Sequence, residues 1–190
     1  MTETGRLTLI ALGSNTNSTW GNAAETVQKA IISLQKLSVG PMRQSRFYRT
    51  PAFPPGSGPD FVNMACAFLT TLSAADLLSA LHEIEADAGR RRDQRWAPRT
   101  LDLDLIAMGQ DVFPDKATHA HWRGLPLADQ SRIAPDGLIL PHPRVQDRSF
   151  VLIPLADVAP DWCHPLLGIT VTQMLDALPT ADRADVVALD

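Results

Sequence analysis

Five arginines and two alternating aspartates lie close together in the segment GRRRDQRWAPRTLDLDLIAMG, residues 89–109. Guanidinium groups bind phosphate oxygens in a bidentate manner. Neighbouring carboxylates are typical ligands of Mg²⁺, whose octahedron is completed by water and substrate phosphates. Two such metals, about 3.5–4 Å apart, serve phosphoryl or nucleotidyl transfer. The segment therefore predicts a site for a phosphorylated substrate, with Asp102 and Asp104 as metal ligands.

A simpler interpretation is a solvated edge strand beside a solvated basic loop, and an isolated Asp-x-Asp would favour it. The adjoining arginines, with Trp96 and Pro98 among them, favour the chemical interpretation. Two like charges on one strand face also repel each other, and a bound cation would remove that repulsion.

An alternating strand must position these acids. Leu101, Leu103 and Leu105 alternate with the two aspartates, which is typical of a strand with one buried face. We expect the leucines to face the core and the aspartates to project from the other side, with Cα atoms about 6.5–7 Å apart.

The patterns before this strand predict the order β-α-β-β-α-β. Asn22 with Glu25, and Ser73 with Asp76, indicate where the two helices begin, and Glu85 at the edge of the second helix's apolar face needs a cationic partner. This order is typical of an α+β, ferredoxin-like sandwich. We expect an antiparallel-rich sheet with both helices on one face and the opposite face open for a site. The predicted strands are 7–12, 42–49, 61–71 and the aspartate strand, and the predicted helices are 22–38 and 73–88.

The remaining chain is less regular. Residues 110–137 are rich in turn formers and predict an insertion that adds little to the core. Residues 151–155 predict a short strand or turn, 170–178 a terminal helix, and 181–190 a frayed tail. We interpret 1–190 as one domain with an inserted loop and C-terminal additions.

Composition limits the function classes. The 190 residues are 45% hydrophobic and 20% charged, with a net charge of −4, which indicates one soluble domain and argues against a general nucleic-acid binder. No apolar run approaches a membrane span, and no signal-peptide pattern begins the chain. Cys66 and Cys163 form no metal motif, and we interpret them as reduced thiols in a cytoplasmic protein. His119 and His121 could bind a metal but are more often simply solvated.

Several stretches together resemble one family, the 6-hydroxymethyl-dihydropterin pyrophosphokinases of folate synthesis. They occur in the family's order and are ALGSN (11–15), FYRTP (47–51), DFVN (60–63), RWAPRTLDLD (95–104), LPHPR (140–144) and RSF (148–150). The resemblance implies a ferredoxin-like fold. It also implies transfer of the β,γ-pyrophosphoryl group of ATP to the pterin hydroxymethyl, with release of AMP and the use of two Mg²⁺ ions.

The resemblance also implies residue roles. Asp102 and Asp104 hold both Mg²⁺ ions and, with Arg90, Arg92 and Arg99, form the catalytic group. The residues assigned to the pterin are Thr50, Pro51, Phe53, Phe61, Asn63, Trp96 and Phe150. Those assigned to ATP are His82, Glu85, Arg90, Arg92, Arg99, Leu105, His142 and Arg148.

The chain departs from the family in three places. His82 stands where glutamine is usual, the arginine loop is one residue shorter before Trp96, and the segment between Gly109 and Pro141 is longer. In the family that segment lies near the adenine, so its extra residues could be a surface elaboration, a rim over the nucleotide or a contact with another protein.

Other interpretations remain open. Another two-metal transferase fits the aspartate strand equally well, and a non-catalytic binding module is a second class, which Mg²⁺-dependent nucleotide binding would distinguish. The phenylalanines could be core residues. No general base stands out, although in-line phosphoryl transfer depends mainly on positioning and charge. We expect a monomer whose partners are the small molecules ATP and pterin, with no nucleic acid or membrane.

Overall fold

An antiparallel sheet forms the centre of the fold. The computed structural model describes residues 5–52, 56, 58–90, 99–126, 129 and 133–189. The strands are β1 (Arg6–Ser14), β2 (Arg43–Gln44), β3 (Tyr48–Thr50), β4 (Phe61–Thr70), β5 (Asp102–Met108) and β6 (Val187–Ala188). Their order is β5-β1-β4-β3-β6, β2 also pairs with β4, and each of these pairings is antiparallel. The predicted mixed fold with an antiparallel-rich sheet is confirmed, although the strand predicted over 42–49 is divided in two.

The first two helices begin where their capping residues predict. Before α1 (Ala23–Gln35), the Asn22 side chain accepts a hydrogen bond from the Glu25 N–H, and the Glu25 carboxylate accepts one from the Asn22 N–H. Ser73 caps α2 (Ala74–Asp87) through one such bond. Each cap satisfies an N–H that the helix itself leaves unpaired. Within the described ranges, no helix combines the length and apolar character needed to cross a membrane.

These two helices cover one face of the sheet, as predicted. Their apolar side chains pack against alternate residues of β1, β4 and β5, and the three leucines at 101, 103 and 105 belong to the same cluster. Its members include Ile10, Leu12, Ile31, Leu34, Met64, Phe68, Leu77 and Leu81.

The prediction of an open second face is wrong. Two later helices, α4 (Ser149–Val158) and α5 (Val171–Ala177), cover much of it. The strand or turn predicted over 151–155 is thus a helix, because the apolar second face of β1, β4 and β5 requires cover. The core on this side includes Leu9, Ala65, Ala67, Ile106, Leu152, Leu155, Val158, Val171 and Met174. The beginning of β5, where the two aspartates lie, extends beyond that core.

The insertion and the tail are both more ordered than predicted. Residues 110–137 contain α3 (Lys116–Gly124). Residues 181–189 do not fray, because α6 (Thr180–Ala184) leads into β6, which pairs with the edge strand β3. An edge strand offers unpaired backbone groups to any segment that can reach it, and this tail reaches β3.

Candidate active site

Two carboxylates project from the beginning of β5. The alternating pattern predicted for this strand is confirmed, since Leu101, Leu103 and Leu105 are buried. The side chains of Asp102 and Asp104 retain 18% and 34% of their exposure, respectively. The strand therefore presents two acids side by side at the border between the core and solvent.

Asp102 is held by two guanidinium groups. Arg90 donates from Nη1 to Asp102 Oδ1 at 2.5 Å and to the Leu101 carbonyl at 3.1 Å. Arg99 donates to the other carboxylate oxygen, Asp102 Oδ2. Bonds between charged partners are shorter and stronger than neutral ones, so Asp102 is fixed in one orientation.

The buried carboxylate of Glu85 positions this cluster. It is 2% exposed and lies in the last turn of α2. Its Oε1 accepts hydrogen bonds from Arg90 Nη1 and, at 2.8 Å, from the Leu103 N–H of β5. The cationic partner predicted for Glu85 is therefore present, and the carboxylate joins the end of α2 to the aspartate strand.

Asn15 performs a similar task for Arg99, although no role is predicted for Asn15 from the sequence. The Asn15 side chain accepts a hydrogen bond from the Arg99 N–H at 3.0 Å, and its backbone N–H donates to the Arg99 carbonyl at 3.2 Å. Ser14 donates from its hydroxyl to the Thr100 carbonyl at 2.6 Å. The end of β1 thus sets the path of the chain as it enters β5. The only sequence signal was the ALGSN motif, which indicated these residues without their contacts.

The two aspartates differ in their electrostatics. Burial raises the pKa of Asp102, but Arg99 and Arg90 outweigh that effect and hold it below its ordinary value. Burial, followed by repulsion from Asp102, raises the pKa of Asp104 to about 6. Arg148, at 3.6 Å from Asp104 Oδ2, compensates only partly. In the absence of a cation, ionisation is therefore favoured at Asp102 and disfavoured at Asp104, by burial and by the like charge of Asp102.

A cavity of about 590 Å³ opens beside these carboxylates. Both aspartates line this cavity. So do the described residues that the resemblance assigns to ATP, with the exception of Arg99; they are His82, Glu85, Arg90, Leu105, His142 and Arg148. Volumes of 300–1,000 Å³ are typical of small-molecule sites. Arg99 contributes to this group through its bond to Asp102.

His142 lines this cavity with an uncharged imidazole. Burial, assisted by the nearby Arg148 guanidinium, lowers the pKa of its imidazole to about 3. Its Nδ1 accepts a hydrogen bond from the Arg144 N–H at 3.1 Å, and its backbone N–H donates to the Ile106 carbonyl of β5 at 2.8 Å. Because Nδ1 accepts, the ring proton lies on Nε2, which remains a hydrogen-bond donor.

On the other side of β1 lies a second polar group. Asn63 of β4 donates from Nδ2 to the Thr50 hydroxyl at 2.7 Å, and both residues are buried. Pro51, which follows Thr50, is exposed. The Asn63 amide keeps an acceptor oxygen and a second N–H with which to bind a polar ring edge.

Neither described phenylalanine assigned to the pterin is a core residue. Phe61 is half-buried and lies close to Gly13 of β1. Phe150 is 39% exposed, and the Arg148 guanidinium lies 5.7 Å from its ring centroid. Aromatic faces that stay partly exposed beside charged groups are available to bind a flat ligand. Phe53, Arg92 and Trp96 lie outside the described residues.

His119 and His121 do not act as a pair. Both lie on α3, where His121 is exposed and His119 is fully buried with its Nε2–H donating to the Pro141 carbonyl at 2.9 Å. The interpretation of both as solvated loop residues is therefore wrong for His119. Across the part of the chain that the structure describes, no three His, Cys, Asp or Glu side chains form a group that could hold a metal ion.

Residues 9–160 match the model of the family 7,8-dihydro-6-hydroxymethylpterin-pyrophosphokinase (HPPK). The chain is similar to curated proteins named 2-amino-4-hydroxy-6-hydroxymethyldihydropteridine pyrophosphokinase. That of Synechocystis is 37% identical over 88% of this chain and 74% of its own length. That of Pseudomonas aeruginosa is 37% identical over 90% of each chain, and that of Haemophilus influenzae is 32% identical over 82% and 83%.

Among solved structures, the fold is similar to that of Plasmodium falciparum HPPK-DHPS crystallised with SDX-DHP. The TM-score is 0.62 at 12% identity, and the match covers 93% of this chain and 45% of that one. At this identity the likeness concerns the fold alone.

Proposed function

Since the chain belongs to the 7,8-dihydro-6-hydroxymethylpterin-pyrophosphokinase family, we propose that its carboxylate pair and adjoining cavity carry out that family's reaction on MgATP. The chain is a pyrophosphokinase of folate biosynthesis that transfers a pyrophosphoryl group to hydroxymethyldihydropterin. The observation that supports the site assignment is the convergence of two carboxylates and several guanidiniums on one cavity.

The donor ATP would occupy this cavity. Arg90 and Arg148 lie along it and can neutralise phosphate oxygens, whereas His142 offers an uncharged N–H donor. Arg90 is already oriented by Glu85. A guanidinium held in place before the substrate arrives loses little conformational entropy when it binds.

Asp102 and Asp104 fit the requirements of Mg²⁺. Two carboxylates on one strand face give hard oxygen ligands and leave coordination positions for phosphate oxygens and water. The raised pKa of Asp104 supports this fit, because burial and repulsion from Asp102 both disfavour its charged form, and a bound cation would offset both effects. When bound, Mg²⁺ supplies charge neutralisation at the phosphates, and we propose that two ions bind.

The acceptor pterin would lie on the Asn63 side. Its polar edge can exchange hydrogen bonds with the Asn63 amide, which the Thr50 hydroxyl orients. Phe61 and Phe150 provide aromatic surface for its flat ring. The ring would then lie across β1 from the donor cavity, and its hydroxymethyl could approach the phosphates near the two aspartates.

Charge stabilisation and alignment carry most of this chemistry. The hydroxymethyl oxygen attacks the β-phosphorus of ATP and releases its proton to solvent, the bond from that phosphorus to the α,β-bridging oxygen breaks, and AMP leaves. Fixed guanidiniums stabilise the charge that develops on the bridging and equatorial oxygens. Phosphoryl transfer of this kind needs accurate positioning more than a strong base.

Three further features belong to the same proposal. Taking β2 and β3 together as one strand, the sheet order resembles that of a ferredoxin-like sandwich, and the C-terminal helices are additions to it. The chain is one domain with the insertion at 110–137, and it acts as a monomer.

Nucleotide chromatography of one reaction tests the proposal. With ATP, Mg²⁺ and hydroxymethyl-dihydropterin, we expect AMP and pterin diphosphate in equal amounts, and no AMP without the pterin or with excess EDTA. ADP as product would identify a different phosphotransferase. Nucleotide binding without pterin-dependent turnover would indicate a binding module.

A further inference from the structure

The insertion at 110–137 is fastened to the segment that leads into the site. Phe113 and Leu140 exchange two backbone hydrogen bonds, at 2.9 and 3.0 Å. On α3, which Asp115 caps, the fully buried His119 donates to the carbonyl of Pro141. Because Pro141 immediately precedes His142, these contacts fix α3 relative to the wall of the donor cavity.

Trp122 lies one helical turn after His119 and lines the same cavity as the two aspartates. The indole is half-buried, and the ring of the exposed His121 stands edge-on to it, with centroids 5.8 Å apart. Residues i and i+3 of a helix lie on neighbouring parts of its surface. The buried anchor at His119 therefore presents Trp122 towards the cavity.

The lining of this cavity is of two chemical kinds. The strand β5 and the nearby arginines contribute charged groups suited to a triphosphate. Residues 122–139 contribute mainly apolar surface, from Trp122, Ile133, Pro135, Leu138 and Ile139, and Asp136 is the charged residue among them. Ile133 is 47% exposed, so a large apolar side chain at this wall is left uncovered.

We propose that Trp122 is a specificity-determining residue whose indole forms the nucleobase-contacting wall of the donor cavity. This inference rests on the proposed function, and it gives the insertion the task of selecting a nucleoside triphosphate over a base-free polyphosphate. Flat bases stack on aromatic side chains regardless of their hydrogen-bonding pattern, and the neighbouring Ile133 extends the apolar surface that a base would cover.

Calorimetric titration of the full chain with ATP and with inorganic tripolyphosphate, both with Mg²⁺, tests the inference. Tripolyphosphate carries the charge of the donor without its base. Trp122→Ala should weaken ATP binding on the order of tenfold and change tripolyphosphate binding less than twofold. Trp122→Phe keeps an aromatic face and should retain most of the ATP affinity. Trp20→Phe, at a tryptophan outside the cavity lining, is the matched control and should bind both ligands like the original chain.

Two results would overturn the inference. The proposed function would still stand in either case if the unsubstituted chain produced AMP. One is unchanged ATP affinity in Trp122→Ala. The other is an equal loss of affinity for ATP and tripolyphosphate, which would show that Trp122 acts only by supporting the cavity. An original chain that binds neither ligand would overturn both proposals.

Discussion

Replacing each aspartate of the site by asparagine should have the same effect on turnover but opposite effects on stability. Asp102 is hydrogen-bonded to Arg90 and Arg99, whereas the ion pair of Asp104 with Arg148 is longer, at 3.6 Å, and Asp104 is repelled by Asp102. Asp104→Asn therefore removes a repelled charge from the metal-free protein. Asp102→Asn removes the charge that two guanidiniums bind.

The size of the stability effect follows from the raised pKa of Asp104. A change from 3.8 to about 6 corresponds to about 3 kcal/mol at 1.36 kcal/mol per pKa unit. Since about a third of the side chain is exposed, solvent screening reduces this to about 1–2 kcal/mol. Asp104→Asn should raise the free energy of unfolding by that amount, or Tm by roughly 2–8 °C. Asp102→Asn should lower the free energy of unfolding by about 1–3 kcal/mol through the weakened charged hydrogen bonds.

The pH dependence of this gain distinguishes the cost of an ionised Asp104, which arises from burial and from repulsion by Asp102, from causes that do not titrate. A carboxyl with a raised folded-state pKa binds its proton more tightly in the folded chain, so its cost is fully present above about pH 6 and disappears near pH 4. Urea unfolding in EDTA at pH 7.5 and 4 should show the Asp104→Asn gain only at the higher pH.

Both variants should lose at least about 100-fold in turnover, because under the proposed function each removes a charged Mg²⁺ ligand worth several kcal/mol in the transition state. Asp111→Asn, at an exposed ion pair with Arg6, is the matched control and should change stability by less than about 0.5 kcal/mol. A destabilised Asp104→Asn at pH 7.5, or near-normal turnover in either site variant, would refute the reasoning.

Two further variants test the residues that support the site and the insertion. Glu85→Gln keeps an acceptor for the Leu103 N–H but loses the charge that orients Arg90. We expect the free energy of unfolding to fall by about 1–3 kcal/mol and kcat/KM to fall as well. The control Glu83→Gln, on the exposed face of α2, should change neither quantity, and equal values for the two variants would contradict the role of Glu85. His164, between α4 and α5, is fully buried, and its ring centroid lies 5.7 Å from that of His119 on α3. Burial, followed by the effect of His119, lowers the pKa of His164 to about 4, so the folded chain should lose about 3 kcal/mol of stability as the pH falls from 6.5 to 4. Urea unfolding of His164→Asn should show that much less pH dependence, and an unchanged dependence would place the effect elsewhere.

The sequence predicted those parts of the structure whose signals are local. Strict alternation of apolar and charged residues predicted the aspartate strand. Asn22 and Ser73 predicted where their helices begin, because a capping side chain acts within four residues. The resemblance to the family also named the two aspartates and the residues assigned to ATP, and all of these that the structure describes, Arg99 excepted, line one cavity. The prediction for Glu85 was partly complete. A carboxylate at the edge of an apolar helix face indicated a cationic partner, but only the structure shows its hydrogen bond to the Leu103 N–H.

The failures occurred where the deciding contact is distant in sequence. The helix α4 has buried residues at 151, 152, 155 and 158, but Pro154 within it and its largely apolar character obscure the helical period. The tail becomes a strand only because β3 offers it an edge. His119 is buried because the Pro141 carbonyl, 22 residues away, accepts its proton, and no property of residues 110–137 alone reveals that partner.

Strand register places the groups that the proposed function assigns to the two substrates on one short stretch of sheet. Gly13 of β1 lies opposite Asn63 on β4 and opposite Asp102 on β5. Neighbouring strands are about 4.8 Å apart, so the backbones of Asn63 and Asp102 are separated by about 10 Å. Under the proposed function, this is the distance that a pterin bound to the Asn63 amide must span for its hydroxymethyl to approach the phosphates. A Cβ atom at Gly13 would come within 3.0 Å of the Asn63 side-chain oxygen, so glycine leaves room for this amide. In the sequence Gly13 marks only the end of a strand, and its position between Asn63 and Asp102 follows from antiparallel pairing that no local pattern encodes.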